Sequence, residues 1–164
     1  MATSKSSLVI FKAYPPEHAE MAYRAGFYVE AIQVLHGWIE VKLQELFLLS
    51  RHKNLKHSYS EIWDSAFGIP LIQVAKVLLV SGKLDKPTFD AVNRFNSMRN
   101  KIIHKIFNEP YDSPAKPISK VEYDKAFTFG TELSWKLEGT LGKLATRGKV
   151  GERTPAQKKK KQGV

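Results

Sequence analysis

The sequence predicts an all-α protein. Apolar residues recur at spacings of three and four over long windows, helix start and stop signals punctuate those windows, and no alternating pattern longer than Leu8 to Lys12 suggests a strand. The 164 residues, 43% apolar and 26% charged, are enough to close one hydrophobic core. Three Trp, six Tyr and nine Phe supply large core side chains and argue against global disorder.

A first long helix is expected over Pro16 to Ser50, where Ala25, Val29, Ile32, Ile39, Leu43 and Leu46 fall on one face together with His36. Pro15-Pro16 marks its start, and Glu17 and Glu20 lie in the first turn, where carboxylates favour the positive end of the helix dipole. Arg51 to His57 reads as a polar, basic loop. Ser58 and Glu61 have capping-box spacing ahead of Ile62, Trp63 and Phe67, which predicts a short second helix stopping at Gly68.

Pro70 opens a third helix, whose Leu71, Val74, Val77, Leu78, Leu79 and Val80 form an apolar patch ending near Gly82. Asp85, with Pro87 just inside, starts a fourth that runs to about Phe107. Asn108 to Pro117 holds Pro110 and Pro114 and is a loop. Ser119 and Glu122 repeat the capping-box spacing, and Phe127, Leu133, Leu137, Leu141 and Leu144 carry a fifth helix to about Ala145. About five helices joined by short connections suit an up-and-down bundle. The expected organisation is an N-terminal extension over 1–15, a helical domain over 16–145 and a disordered basic tail over 146–164, poor in apolar residues.

Charge is unevenly placed. The chain carries 26 basic and 16 acidic residues, a net +10. From Lys143 to Val164 eight basic residues face one acid, +7, which leaves 18 − 15 = +3 for the body. A basic tail is implied, not a strongly basic folded surface. The absence of cysteine excludes a disulfide framework and thiolate metal or redox sites, and a reducing compartment is the compatible setting. Polar residues at Met1 to Ser7 and the short apolar run Leu8 to Phe11 provide neither a signal-peptide core nor a membrane span, so a cytoplasmic protein with no membrane partner is expected.

The fourth helix carries the anomaly. At 100° per residue, Ala91, Val92, Phe95, Met98, Ile102, Ile103 and Ile106 fill the core-facing arc, and Arg99 falls inside it. A guanidinium keeps its charge when buried, so Arg99 needs a carboxylate, a phosphate or a route to solvent. Pairing with Glu40 or Glu45 of the first helix is one outcome, and an arginine held for an anionic ligand is the other. A second stripe is polar and uncharged: Asn93, Asn96, Asn100 and His104, a pattern suited either to a groove for polar groups or to solvent. His104, flanked by Lys101 and Lys105, carries an imidazole, the side chain suited to general acid or base work toward a phosphodiester, although a plain surface histidine would look the same.

Arg99-Asn100-Lys101-Ile102-Ile103-His104 resembles the motif of the HEPN superfamily, an Arg followed by a polar residue and, after four intervening residues, a His. GFYVEAIQVLHGWIEVKLQELF, Gly26 to Phe47, is similar to that superfamily's first long helix, and the similarity spans about Pro16 to Ala145. Arg51 and His57 satisfy a related spacing but sit in the basic loop, without helical context.

The resemblance implies an HEPN-like bundle acting as a metal-independent endoribonuclease, in which the RNA 2′-hydroxyl attacks its own phosphodiester. His104 would handle the proton, Arg99 would stabilise the phosphorane and Asn100 would hold the phosphate or His104. Asn93, Asn96, Lys101 and Lys105 would contact RNA. No cofactor and no metal are implied. Arg99 and His104 are about 140° and 7.5 Å apart on a regular helix, so a homodimer that joins two copies of the motif in one cleft is part of the expectation. A toxin–antitoxin or phage-defence setting, with a nucleotidyltransferase-like antitoxin as partner, follows from family analogy. The alternative is a non-catalytic helical module binding nucleotide, RNA or a protein partner through the same groove.

His36 and Glu40, at i, i+4 on the first helix, are secondary candidates for the cleft, or core residues. Lys158, Lys159, Lys160 and Lys161 suit non-specific phosphate binding, and equally a solubilising tail. The histidines are too scattered to suggest zinc.

Overall fold

The structure, a computed structural model, describes residues 13–51, 59–107 and 118–150. All regular structure in them is helical: α1 (Pro15–Arg24), α2 (Tyr28–Arg51), α3 (Tyr59–Phe67), α4 (Leu71–Val80), α5 (Lys86–Phe107) and α6 (Lys120–Val150). The Leu8 to Lys12 segment and the Asn108 to Pro117 loop lie outside the described residues.

The expected first helix is two helices. Gly26, at φ +86°, breaks it with a Schellman motif in which Phe27 N donates to Ala22 O (2.9 Å) and Gly26 N to Tyr23 O (3.1 Å). Ala25 is exposed at this turn and does not continue the α2 stripe. The same motif ends α4, where Gly82 has φ +67° and Lys83 N donates to Leu78 O at 2.8 Å.

Two start signals work as the sequence suggests. Asp85 Oδ1 accepts from Thr88 N at 2.8 Å to cap α5, and Ser119 and Glu122 exchange reciprocal bonds of 3.3 Å at the start of α6. Ser58 lies outside the described residues, so its capping role is not seen. The last helix continues through Val150, past the expected end at Ala145.

α2 is the central element and packs against α1, α3, α4, α5 and α6. Ile32, Leu35, Ile39, Leu43 and Leu46 form its buried stripe, each at most 1% exposed. Opposing them are Val74 and Leu78 of α4, Val92, Phe95 and Ile102 of α5, and Leu133 and Leu137 of α6. The α4 patch divides, since Leu71, Val74 and Leu78 are buried whereas Val77 and Val80 point outward, Val80 being 89% exposed. α5 and α6 approach closely at Gly130: a Cβ built there would lie 2.4 Å from the Phe95 ring. This crossing fixes how α5 presents its polar stripe beside α2.

Among the described residues no helix is long and apolar enough to cross a membrane.

Candidate functional site

The polar residues of α2 and α5 meet along one seam. On α2, Gln33, His36 and Glu40 follow the i, i+3, i+7 positions of one helix face, next to the apolar stripe. On α5, Asn93, Asn96, Arg99 and Asn100 are all half-buried, and His104 is exposed.

Arg99 is held by amides. Its Nε donates to Gln33 Oε1 at 2.9 Å across the seam, and one terminal nitrogen donates to Asn100 Oδ1 at 2.9 Å. Among the described residues it meets no carboxylate. The two acids that could have neutralised it are engaged elsewhere: Glu40 Oε1 accepts from the Leu71 backbone N–H at 2.8 Å, at the start of α4, and Glu45 pairs with Lys42 at 3.0 Å. A permanent cation therefore sits half-buried, oriented by two neutral acceptors and, among the described residues, in no ion pair.

His36 shares this seam. Its Nε2 lies 3.3 Å from Asn96 Oδ1, within hydrogen-bond reach of the amide. Burial, reinforced by the nearby Arg99 charge, pushes the imidazole below its ordinary value of 6.5 against the opposing effects of Asn96 and Glu40. The neutral ring packs against Phe95, with centroids 6.5 Å apart.

Several expected site residues are thus brought together: Arg99 with Asn100, and both beside His36 and Asn96. His104 is not among them. It lies about one and a half turns further along α5, and none of the hydrogen bonds of Arg99 reaches it. Asn93 lies half-buried one turn before Asn96, with its backbone carbonyl accepting from Ser97 Oγ. Glu40 serves chiefly as the acceptor for α4.

Lys101 and Lys105 do not project as unpaired cations. Both reach Glu122 of α6, at 2.9 and 3.4 Å. The Lys101 ammonium, assisted by the Ser119 backbone and by Lys105, holds the Glu122 carboxyl at about 2. Lys158, Lys159, Lys160 and Lys161 lie outside the described residues.

Gln33 is the member that motif reasoning missed. The signal was present, since Gln33 precedes His36 by three residues and extends the polar line that runs to Glu40 beside the apolar stripe of α2. Among the described residues no cluster of three or more His, Asp or Glu could hold a metal ion. The chain matches no protein-family model, no curated protein and no solved structure.

Proposed function

We propose that the chain is a HEPN-type endoribonuclease working as a homodimer in the cytoplasm, with Arg99, Asn100 and His104 of α5 at a cleft shared by two copies. The observation that carries this reading is the state of Arg99: half-buried, pinned by Gln33 and Asn100, and paired with no carboxylate among the described residues. Pre-oriented, uncompensated positive charge is what a phosphoryl transition state requires, because its developing negative charge then finds donors already in place.

In the proposed reaction the ribose 2′-oxygen attacks phosphorus, its proton passes to an imidazole, and the P–O5′ bond breaks. The products are a 2′,3′-cyclic phosphate and a 5′-hydroxyl once the departing oxygen takes up a proton. No water is consumed. His104, which is exposed, is assigned that imidazole in this reading. Its angular offset from Arg99 is the reason for the dimer, since a two-fold axis beside α5 lets Arg99 of one copy face His104 of the other. A nucleotidyltransferase-like antitoxin belongs to this reading by analogy alone.

One observation favours a second reading. Within a single copy the imidazole next to Arg99 is His36, half-buried and bonded to Asn96 instead of open to solvent, which suits a pocket that binds a phosphate without cleaving it.

Incubation of the purified protein with structured RNA in EDTA separates the two. Cleavage ending in cyclic phosphate, abolished in His104→Ala and in Arg99→Ala at unchanged helicity, bears out the enzyme. RNA retention without cleavage, lost in Arg99→Ala but kept in His104→Ala, bears out the binding module. Mixing the two inactive variants restores part of the activity if the cleft is composite.

A further inference from the structure

The turn between α1 and α2 opens a groove of about 530 Å³ lined by Gly26, Phe27, Tyr28, Val29 and Glu30, with Tyr123 of α6 as the opposite wall. This lies within the roughly 300–1,000 Å³ typical of small-molecule sites. Phe27 is 62% exposed, a large apolar ring that the core does not use. The wall behind it is a run of touching rings: Phe127 and Tyr23 stack at 4.0 Å, Tyr23 meets Tyr28 at 4.9 Å, and Tyr28 meets Tyr123 at 5.4 Å between centroids. The Lys120 ammonium lies 5.6 and 5.7 Å from the Tyr23 and Tyr28 ring centres.

Two carboxylates stand in this aromatic setting, and Asp124 is already engaged by the Tyr23 hydroxyl and the Lys120 ammonium. Glu30 Oε1 is 3.2 Å from His18 Nε2, while its other oxygen takes no hydrogen bond among the described residues. The groove is also close to the proposed cleavage site along the chain of contacts. Tyr123 follows Glu122, and Glu122 holds Lys101 and Lys105, the residues on either side of His104 on α5.

We infer that this groove binds one unstacked base of a single-stranded RNA, and that the base is guanine, a step that rests on the ribonuclease reading above. An exposed aromatic ring such as Phe27 is a usual platform for holding a splayed base by stacking. The choice of base follows from Glu30. A carboxylate only accepts, and guanine alone presents two adjacent donors, N1–H and the N2 amino group, to match its two oxygens. Adenine and cytosine place a ring acceptor beside their amino group, and uracil flanks its single N–H with carbonyls, so each opposes the carboxylate with a lone pair.

The test uses the full-length protein and fluorescently labelled 2′-O-methyl oligonucleotides, which lack the nucleophile and report binding alone. A uridine hexamer is compared by anisotropy with hexamers carrying one central guanosine, adenosine or cytidine. The guanosine hexamer should bind about tenfold more tightly than the uridine one, in line with one stacked and paired base. Phe27→Ala and Glu30→Gln, both at exposed positions, should each remove the preference, whereas Lys76→Ala on α4 should keep it.

Equal binding of all four hexamers, preference for another base, or a guanosine preference that survives both groove variants would overturn the inference. Cleavage of unmodified RNA in EDTA is scored separately. Cleavage with no base preference overturns the groove and leaves the ribonuclease standing. Guanosine preference without cleavage does the reverse.

Discussion

Arg99 Nε donates to Gln33 Oε1 at 2.9 Å, so the one charged residue in the core-facing arc of α5 is anchored to α2 by an amide that cannot neutralise it. An uncompensated, half-buried charge is a poor stabiliser. Arg99→Met should therefore lower RNA cleavage roughly a hundred- to a thousand-fold, the cost of losing one transition-state donor. The melting midpoint of that variant should stay unchanged or rise. A marked drop in thermal stability would mean that Arg99 is there for the fold.

The depressed titration of His36 links folding to pH. Its native form binds protons less readily than the unfolded chain, whose imidazole titrates near 6.5. The His36 contribution is thus fully present above about 6.5 and declines as pH falls toward the lower native value. Melting midpoints measured from pH 7.5 down to about 5 should fall in wild type, and His36→Gln should flatten that part of the curve. The Glu122 contribution has its own, more acidic window: it is present above the ordinary value of 4.5 and lost as pH falls to about 2.

Glu122 occupies Lys101 and Lys105, the two lysines that the proposed function assigns to RNA. Glu122→Gln should release Lys101 and Lys105, tighten RNA binding at low salt and steepen its salt dependence. The slope of log K against log salt should become more negative by about 0.7 for each lysine that gains a phosphate on a single strand. The same change loosens the capping box of α6, so a small loss of thermal stability accompanies it. An unchanged slope would place these lysines outside the RNA path.

Gly130 is a packing requirement. In an open helix, replacing Gly by Ala gains about 1 kcal/mol of propensity. Here the added methyl would meet the Phe95 ring at 2.4 Å, so Gly130→Ala should instead destabilise, by about 1–3 kcal/mol. Phe95→Leu should recover part of that loss when combined with it and cost stability alone, a non-additivity readable by urea denaturation.

Much of the fold was legible because it depends on short-range rules. The α5 start at Asp85, the Ser119–Glu122 capping box and the buried stripe of α2 follow from residues within a turn or two of one another. The α1–α2 break was also local, but Gly26 lies in a phase-continuous apolar pattern, and periodicity outweighed the stop signal that a glycine followed by an apolar residue provides. Within the candidate site, the arc that captured Arg99 and the stripe that ended in His104 were readable from α5 alone.

What the amino-acid order settled unaided was therefore the helical class, most helix limits and the presence of an arginine on a face meant for apolar residues. The partners of that arginine were decided only when the chain folded. Glu40 was equally available on α2 until the start of α4 offered it a backbone N–H, and Gln33 lies 66 residues from Arg99 in the chain. The pairing of Lys101 and Lys105 with Glu122 and the aromatic wall joining Tyr28 to Tyr123 arose in the same way. Helix periodicity is set by the geometry of one segment, whereas the neighbour a side chain finds depends on how separate segments pack, and that information is spread over the whole core.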